Sequence, residues 1–160
     1  MTPYLVTPPA SLPVTVAEVK EHAQIEHDDL DAVLSGMISA ATVQLDALTG
    51  TLGRAIMPQT WAIDVDAAGD YVLPMPDVTE ASIDGAPLTI ARTPLGLQVT
   101  TEAAGTITFT CGLPSHLLPG AQEAVKWMVR RSIDQLRGDD LSAATYIIES
   151  HTGPLRVPRL

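Results

Sequence analysis

The sequence predicts an α+β fold, because its hydrophobic period changes twice along 160 residues. Apolar residues recur every three or four positions before residue 52, every second position between residues 52 and 112, and every three or four positions again from residue 119. The first spacing indicates helices and the second indicates strands. The chain is long enough for one domain with a buried core. Because only 4% of its residues are aromatic, that core must be aliphatic.

Residues 1–14 are predicted to form an extended N-terminal arm. Four prolines fall within the first 13 residues, and proline both fixes its own backbone and restricts the residue before it. A helix begins directly after the arm, since Thr15 and Glu18 have the T-x-x-E spacing of a capping box. We expect this first helix to span residues 16–25.

A second, longer helix is predicted over residues 30–48. Its apolar side chains fall at helical spacing and trace one helical stripe for about five turns. The stripe consists of Leu30, Val33, Leu34, Met37, Ile38, Ala41, Leu45 and Leu48. Gly50 is placed where a left-handed C-cap would end the helix. Residues 15–51 therefore form the first part of a helical core.

Residues 52–112 are predicted to form a small antiparallel sheet of four to six strands. Apolar residues alternate with polar or small ones over 61–65 and again over 107–111, as in strands with one face on a core. Asp84-Gly85 is typical of a two-residue hairpin turn. Threonines occupy many of the alternate positions, so the outer face of the sheet is predicted to be rich in threonine.

A third helix is predicted to begin at Pro119 and to end near Gly138. It belongs to residues 113–138, the second part of the helical core. Residues 139–160 form a C-terminal segment and tail, whose last ten residues have the composition of an extended chain.

The charge of the chain argues against a protein that grips nucleic acid. Its 9 Lys and Arg against 19 Asp and Glu give a formal net charge of −10, whereas binding to phosphates needs clustered cations. Residues 1–70 hold ten acids and two bases, while residues 126–160 hold six bases and four acids. This polarity matters for assembly more than for fold. The predicted third helix carries four basic side chains, too few to change this conclusion: Lys126, Arg130, Arg131 and Arg137.

The sequence supports no catalytic residue, cofactor or metal site. His22 and His27 miss the i, i+4 spacing of helical metal ligands. The single cysteine, Cys111, excludes an internal disulfide and ends an alternating strand, where a small buried residue fits. No run approaches 18 apolar residues, so no membrane span is predicted.

The motifs, taken in order, resemble those of one family. A P-P-A-x-L-P-V-T-x-A-E-V-K pattern at Pro8–Lys20 leads through the acidic pair at 28–29 to a helix that ends L-T-G at Leu48–Gly50. The motifs T-F-T-C-G at Thr108–Gly112 and L-P-G-A-Q-E-A-V at Leu118–Val125 follow. In these residues the chain resembles the head–tail connector, or adaptor, proteins of long-tailed phages and of phage-derived gene transfer agents.

The resemblance implies a helical core of three to four helices, with an antiparallel β insertion between the second and third. It also implies a structural virion protein, made in the bacterial cytoplasm, that is not an enzyme. Such proteins form a ring, usually dodecameric, at the head–tail interface below the portal protein of a filled capsid. The ring extends the DNA channel, receives the tail-completion or stopper protein, and lets DNA pass without specific binding.

Two sets of residues follow as candidates for contacts. Because the tail-end segments of the family contact the portal, the resemblance implies portal contacts at Leu155, Arg156, Val157, Pro158, Arg159 and Leu160. An acidic lumen would let DNA slide, since like charge suppresses binding to the phosphate backbone. The sequence does not choose between two groups of acids for that lumen: Asp28, Asp29 and Asp31 before the long helix, and Asp64, Asp66 and Asp70 in the sheet region.

Two other functions stay open at this point. One is a small soluble, non-enzymatic binding module or regulator, which would act as a monomer or dimer. The other is a hydrolase that uses His22, His27 or Cys111, and it has the weakest support because the chain has no G-x-S-x-G nucleophile motif.

Overall fold

The computed structural model describes residues 2–157, and this part of the chain contains four α-helices and eight β-strands. The helices are α1 (Val16–Ala23), α2 (Asp31–Leu45), α3 (Leu118–Arg137) and α4 (Ser142–Thr152), and α4 runs into a 3-10 turn at Gly153–Leu155. The strands are β1 (Tyr4–Thr7), β2 (Gln59–Val65), β3 (Gly69–Val72), β4 (Val78–Ile83), β5 (Ala86–Pro87), β6 (Ile90–Thr93), β7 (Gly96–Thr101) and β8 (Gly105–Cys111). Strands β2 to β8 lie between α2 and α3, so the predicted α+β fold with an antiparallel insertion at this place is confirmed.

The chain divides into two compact units. The sheet unit comprises the residues up to Ala10 together with Met57–Leu113. The helical unit comprises Ser11–Ile56 and the described residues from Pro114 onward. In the part of the chain that the structure describes, no helix has both the length and the hydrophobicity that a membrane crossing requires.

Helix α1 begins with the capping box that the sequence predicts. The Thr15 hydroxyl accepts a hydrogen bond from the Glu18 backbone N–H at 3.2 Å, and the Glu18 carboxylate accepts one from the Thr15 N–H at 2.7 Å. The helix ends at Ala23, two residues earlier than predicted, because Gln24 takes a left-handed conformation with φ 56°. These hydrogen bonds lower the pKa of Glu18.

The stripe predicted on α2 separates into two faces. Leu34, Ile38, Ala41 and Leu45 are buried, and they form the inner face of α2. The other members of the predicted stripe within or beside α2 lie outside this core: Leu30 is 40% exposed, Val33 is 51% exposed and Met37 is half-buried. The apolar residues of the predicted stripe therefore divide between a buried side and an exposed side of α2, because residues at i and i+3 are rotated around a helix by most of a right angle.

Helix α2 also ends earlier than the predicted Leu48, and Gly50 does not cap it. The helix stops at Leu45, and Ala47 takes the left-handed conformation with φ 55°. Gly50 serves the turn that follows, where its N–H donates to the Asp46 carbonyl at 2.9 Å. A Cβ at this position would lie 2.3 Å from the Asp46 oxygen, so only glycine fits. The Asp46 carboxylate also accepts from the Ile56 N–H at 2.7 Å, which holds the turn against the next segment.

Helix α3 ends at the predicted place, because Gly138 forms a left-handed C-cap with φ 81°. Its buried side chains include Val125, Met128 and Val129, which pack in the helical unit with α1, α2 and α4. Leu136, near the end of α3, is 79% exposed.

The predicted single sheet is in fact two antiparallel sheets. One has the strand order β1-β2-β8-β4-β5 and the other the order β3-β7-β6. Strands β7 and β8 follow each other in the chain but belong to different sheets, because β8 pairs with β2 on one side and with β4 on the other. Because β8 has a neighbouring strand on each side, it has no free edge with which β7 could pair. The arm supplies β1, which pairs with β2 at Tyr4↔Ala62 and Leu5↔Trp61.

Two local features that the sequence predicts within the sheets are present in the structure: the Asp84-Gly85 turn and the alternation of buried residues with threonines on β8. Asp84 and Gly85 both have positive φ, 46° and 86°, and join β4 to β5 as a two-residue turn of the primed type. On β8, Ile107 and Phe109 are buried while the alternate threonines lie on the other face. The predicted threonine-rich outer face is therefore present.

Because α2 has two faces, substitutions at adjacent residues should change the free energy of unfolding by very different amounts. Leu34→Ala removes a side chain that is 1% exposed and should lower the free energy of unfolding by about 2–5 kcal/mol. Val33→Ala changes a half-exposed side chain and should alter it by less than about 0.5 kcal/mol. Urea denaturation of both variants measures the difference, and equal losses would contradict the assignment of faces.

Candidate assembly surfaces

The described residues contain no group of three or more His, Cys, Asp and Glu side chains placed to hold a metal ion. The two histidines considered for chemistry differ in setting, since His22 lies on α1 and His27 is exposed beyond its end. Cys111 is buried on β8, with its Sγ 3.8 Å from the Gln59 carbonyl oxygen. Cys111 belongs to the sheet unit, and both histidines belong to the helical unit.

His22 is a half-buried histidine that packs against an aromatic ring. Its ring meets the Trp127 ring edge-on, with ring centroids 4.9 Å apart, and its Nε2 is buried with no hydrogen-bond partner among the described residues. Burial lowers the pKa of His22, although the nearby Glu123 carboxylate raises it in part. The neutral imidazole is therefore the form that fits the fold.

The first group of acids considered for a channel is partly neutralised. Lys20 on α1 forms ion pairs with Asp28 and Asp31, the latter at 2.9 Å. The hydrogen bond from Lys20 lowers the pKa of Asp28, and the two carboxylates in turn raise the pKa of Lys20. Asp29 is exposed between them. This cluster serves chiefly to join α1 to the start of α2.

The second group of acids lies on the sheet unit with no described cation in contact. Asp64 on β2 accepts hydrogen bonds from the Thr106 hydroxyl at 2.8 Å and from the Tyr4 hydroxyl at 3.4 Å. Asp70 on β3 accepts from the Thr100 hydroxyl at 2.6 Å, and Asp66 is exposed after β2. Hydroxyl donors orient these carboxylates but leave their charge intact.

The first residues of the predicted portal-binding tail lie against the chain itself. Leu155 is only 3% exposed, and its carbonyl accepts from the Arg54 guanidinium at 3.4 Å. The Val157 N–H donates to the Leu52 carbonyl at 3.0 Å. Arg156 is exposed. The remaining three candidates, Pro158, Arg159 and Leu160, lie outside the described residues.

Two of the four basic side chains of α3 are paired with acids of the same helix. Arg130 Nε donates to both carboxylate oxygens of Asp134, at 3.0 and 3.1 Å. Lys126 pairs with Glu123. Arg131 lines a cavity of about 170 Å³ between α2, α3 and α4. This pairing is typical of a solvated helix and does not present the row of cations that phosphate binding requires.

A groove of about 530 Å³ lies on the sheet unit beside β4. Its lining combines the hydroxyls of Thr79, Ser82, Thr108 and Thr110 with the apolar Leu88, and Glu80 is its one carboxylate. The groove offers no nucleophile with a neighbouring base, so its lining does not indicate catalysis.

One surface of the helical unit was not predicted from the sequence: the outer face of α2. We define this face as Val33, Gly36, Met37, Ala40 and Val43. Val43 is 66% exposed. The sequence does contain features that indicate this face. Helix α2 has no charged residue after Asp31, and its apolar residues follow two helical stripes and not one.

Comparison with solved structures gives a match over the whole chain. The chain is similar to a chain from the neck of an empty gene transfer agent particle computed with C6 symmetry, with a TM-score of 0.69 and 19% sequence identity. The similarity covers 100% of this chain and 97% of that chain. The two proteins therefore share a fold across both units. No protein-family model and no curated protein matches the chain.

The setting of His22 predicts a pH dependence of stability. Because the folded-state pKa is lower than the ordinary 6.5, the unfolded chain binds a proton more readily, and stability should fall as the pH drops below about 6.5. Urea unfolding at pH 7.5 and pH 5.5 measures this loss. His22→Leu should show a smaller loss than the wild type, while the exposed His27→Leu should keep the full loss. An unchanged loss in His22→Leu would contradict the assignment.

Proposed function

We propose that this chain is a head–tail connector protein, which forms a ring below the portal, extends the DNA channel and joins the capsid to the tail. The observation that carries the proposal is the fold shared with a chain of a gene transfer agent neck over 100% of this chain and 97% of the other. A match to one unit alone would fit proteins of many kinds. A match across both units supports the same kind of structural role.

The proposed assembly is a ring of identical chains, with twelve copies as the expected number. The similar neck was computed with C6 symmetry, and twelve copies are compatible with that symmetry because twelve is a multiple of six. Rings form when one surface of a subunit contacts a different surface of the next and the rotation closes. The chain would then act within a phage-like particle, at its head–tail interface, with no membrane partner.

Charge supports a channel through which DNA passes without being held. A surface of net charge −10 repels phosphates over about the Debye length of 8 Å, so the DNA is neither bound nor read. Of the two groups of acids, we favour Asp64, Asp66 and Asp70 for the lumen. Their charge meets no cation among the described residues, whereas Lys20 already neutralises part of the other group.

The portal contact is proposed at the end of the chain, as the family resemblance implies. Leu155 is buried in the helical unit and Val157 is tied to Leu52, so both anchor the tail to its own chain. Arg156 is exposed, so we propose its side chain for the portal contact, together with Pro158, Arg159 and Leu160 as the family resemblance implies. The opposite end of the ring would receive the tail-completion or stopper protein.

Deletion of the gene tests this function in the particles that carry the protein. Negative-stain microscopy should show filled heads without attached tails, and supply of the wild-type chain should restore tails. Mass spectrometry of purified wild-type particles should find a fixed copy number, near twelve per particle. Normal tail attachment in the deletion strain, or absence of the chain from particles, would contradict the connector role and favour a soluble regulator.

A further inference from the structure

The outer face of α2 is an apolar surface that the chain leaves uncovered. Val33 is 51% exposed and Val43 is 66% exposed, while Gly36 and Ala40 lie exposed between them. Their spacing of three and four residues places them on one side of the helix. This side lies away from the inner face, which is buried. Helix α2 therefore carries a second apolar stripe with no described element against it.

The charge of α2 differs from that of an ordinary surface helix. Helix α2 has no charged side chain after Asp31, its first residue. The exposed side of α3, in contrast, carries acids and bases that pair with one another. Desolvation of the outer face of α2 would remove no charge from water, so contact with another apolar surface is favourable there.

Gly36 gives an independent sign that a close contact is made on this face. Glycine within a helix is less stable than alanine, and a Cβ at position 36 would meet no atom within 4 Å outside its own helix. The folded chain therefore gives no reason for glycine here. A surface that approaches the helix backbone closely would need it, because only glycine leaves that space free.

We propose that the outer face of α2 packs against a second copy of this chain, as the apolar centre of the subunit contact in the ring. This inference rests on the proposed connector function. Each copy carries a net charge of −10, so two copies repel each other unless they meet through an uncharged surface. An uncharged helix face is suited to a like-charged copy, whereas a basic partner would be drawn to the acidic surfaces elsewhere.

The outer face of α2 is large enough to form the centre of a subunit interface, but it is too small to form the whole interface. Val33 and Val43 are separated by about 15 Å along the helix axis. A stable contact buries about 800 Å² on each partner, so neighbouring residues must form a rim around the stripe. In a ring the stripe meets a different surface of the next copy.

Matched substitutions test the contact. Val33→Asp with Val43→Asp places two charges on the outer face, and we expect at least about a tenfold lower copy number in particles, because burial of an unpaired carboxylate at a contact is unfavourable. Val33→Thr with Val43→Thr keeps the shape without charge and should retain most of the incorporation. Both positions are exposed, so circular dichroism and thermal unfolding of the free variants should match the wild type.

Photocrosslinking identifies the occupant and does not depend on the Asp variants. A photoreactive benzoylphenylalanine at position 43 should join two copies of this chain when assembled particles are irradiated, as identified by mass spectrometry. A product with a different particle protein, or no product, would overturn the inference, as would normal incorporation of the Asp variant. Absence of the wild-type chain from particles would instead overturn the connector function, so the two failures are distinguishable.

Discussion

The burial of the inner face of α2 is the interaction on which the helical unit depends. Leu34, Ile38 and Leu45 are each at most 3% exposed, and they hold α2 against α3 while α1 packs on both helices. Helix α2 ends at Leu45, and a turn follows in which the Gly50 N–H donates to the Asp46 carbonyl. Because the inner face supplies the packing of the fold, the outer face is free to serve assembly.

Local signals in the sequence were sufficient for several elements. The capping box at Thr15, the Asp84-Gly85 turn and the C-cap at Gly138 each depend on the backbone preferences of a few neighbouring residues. These features were predicted correctly because no distant contact overrides them. The order of helices and strands follows from the same kind of local evidence.

Features that depend on distant contacts were not predictable in the same way. Helix α2 ends early because the following turn forms bonds such as that between Asp46 and Ile56, and the division into two sheets depends on which strands flank β8. The acids could be listed from the sequence, but their pairing with Lys20 required the fold. Likewise, an apolar tail residue such as Leu155 gives no local sign that its own chain buries it.

The central claim is that one helix stabilises the fold with its inner face and the ring with its outer face. Thiol labelling of an Ala40→Cys variant, with Cys111→Ser to remove the native thiol, tests this claim most directly. The account predicts rapid reaction with a maleimide in the free, folded chain and strong protection in assembled particles. Equal reactivity in the two states would contradict it.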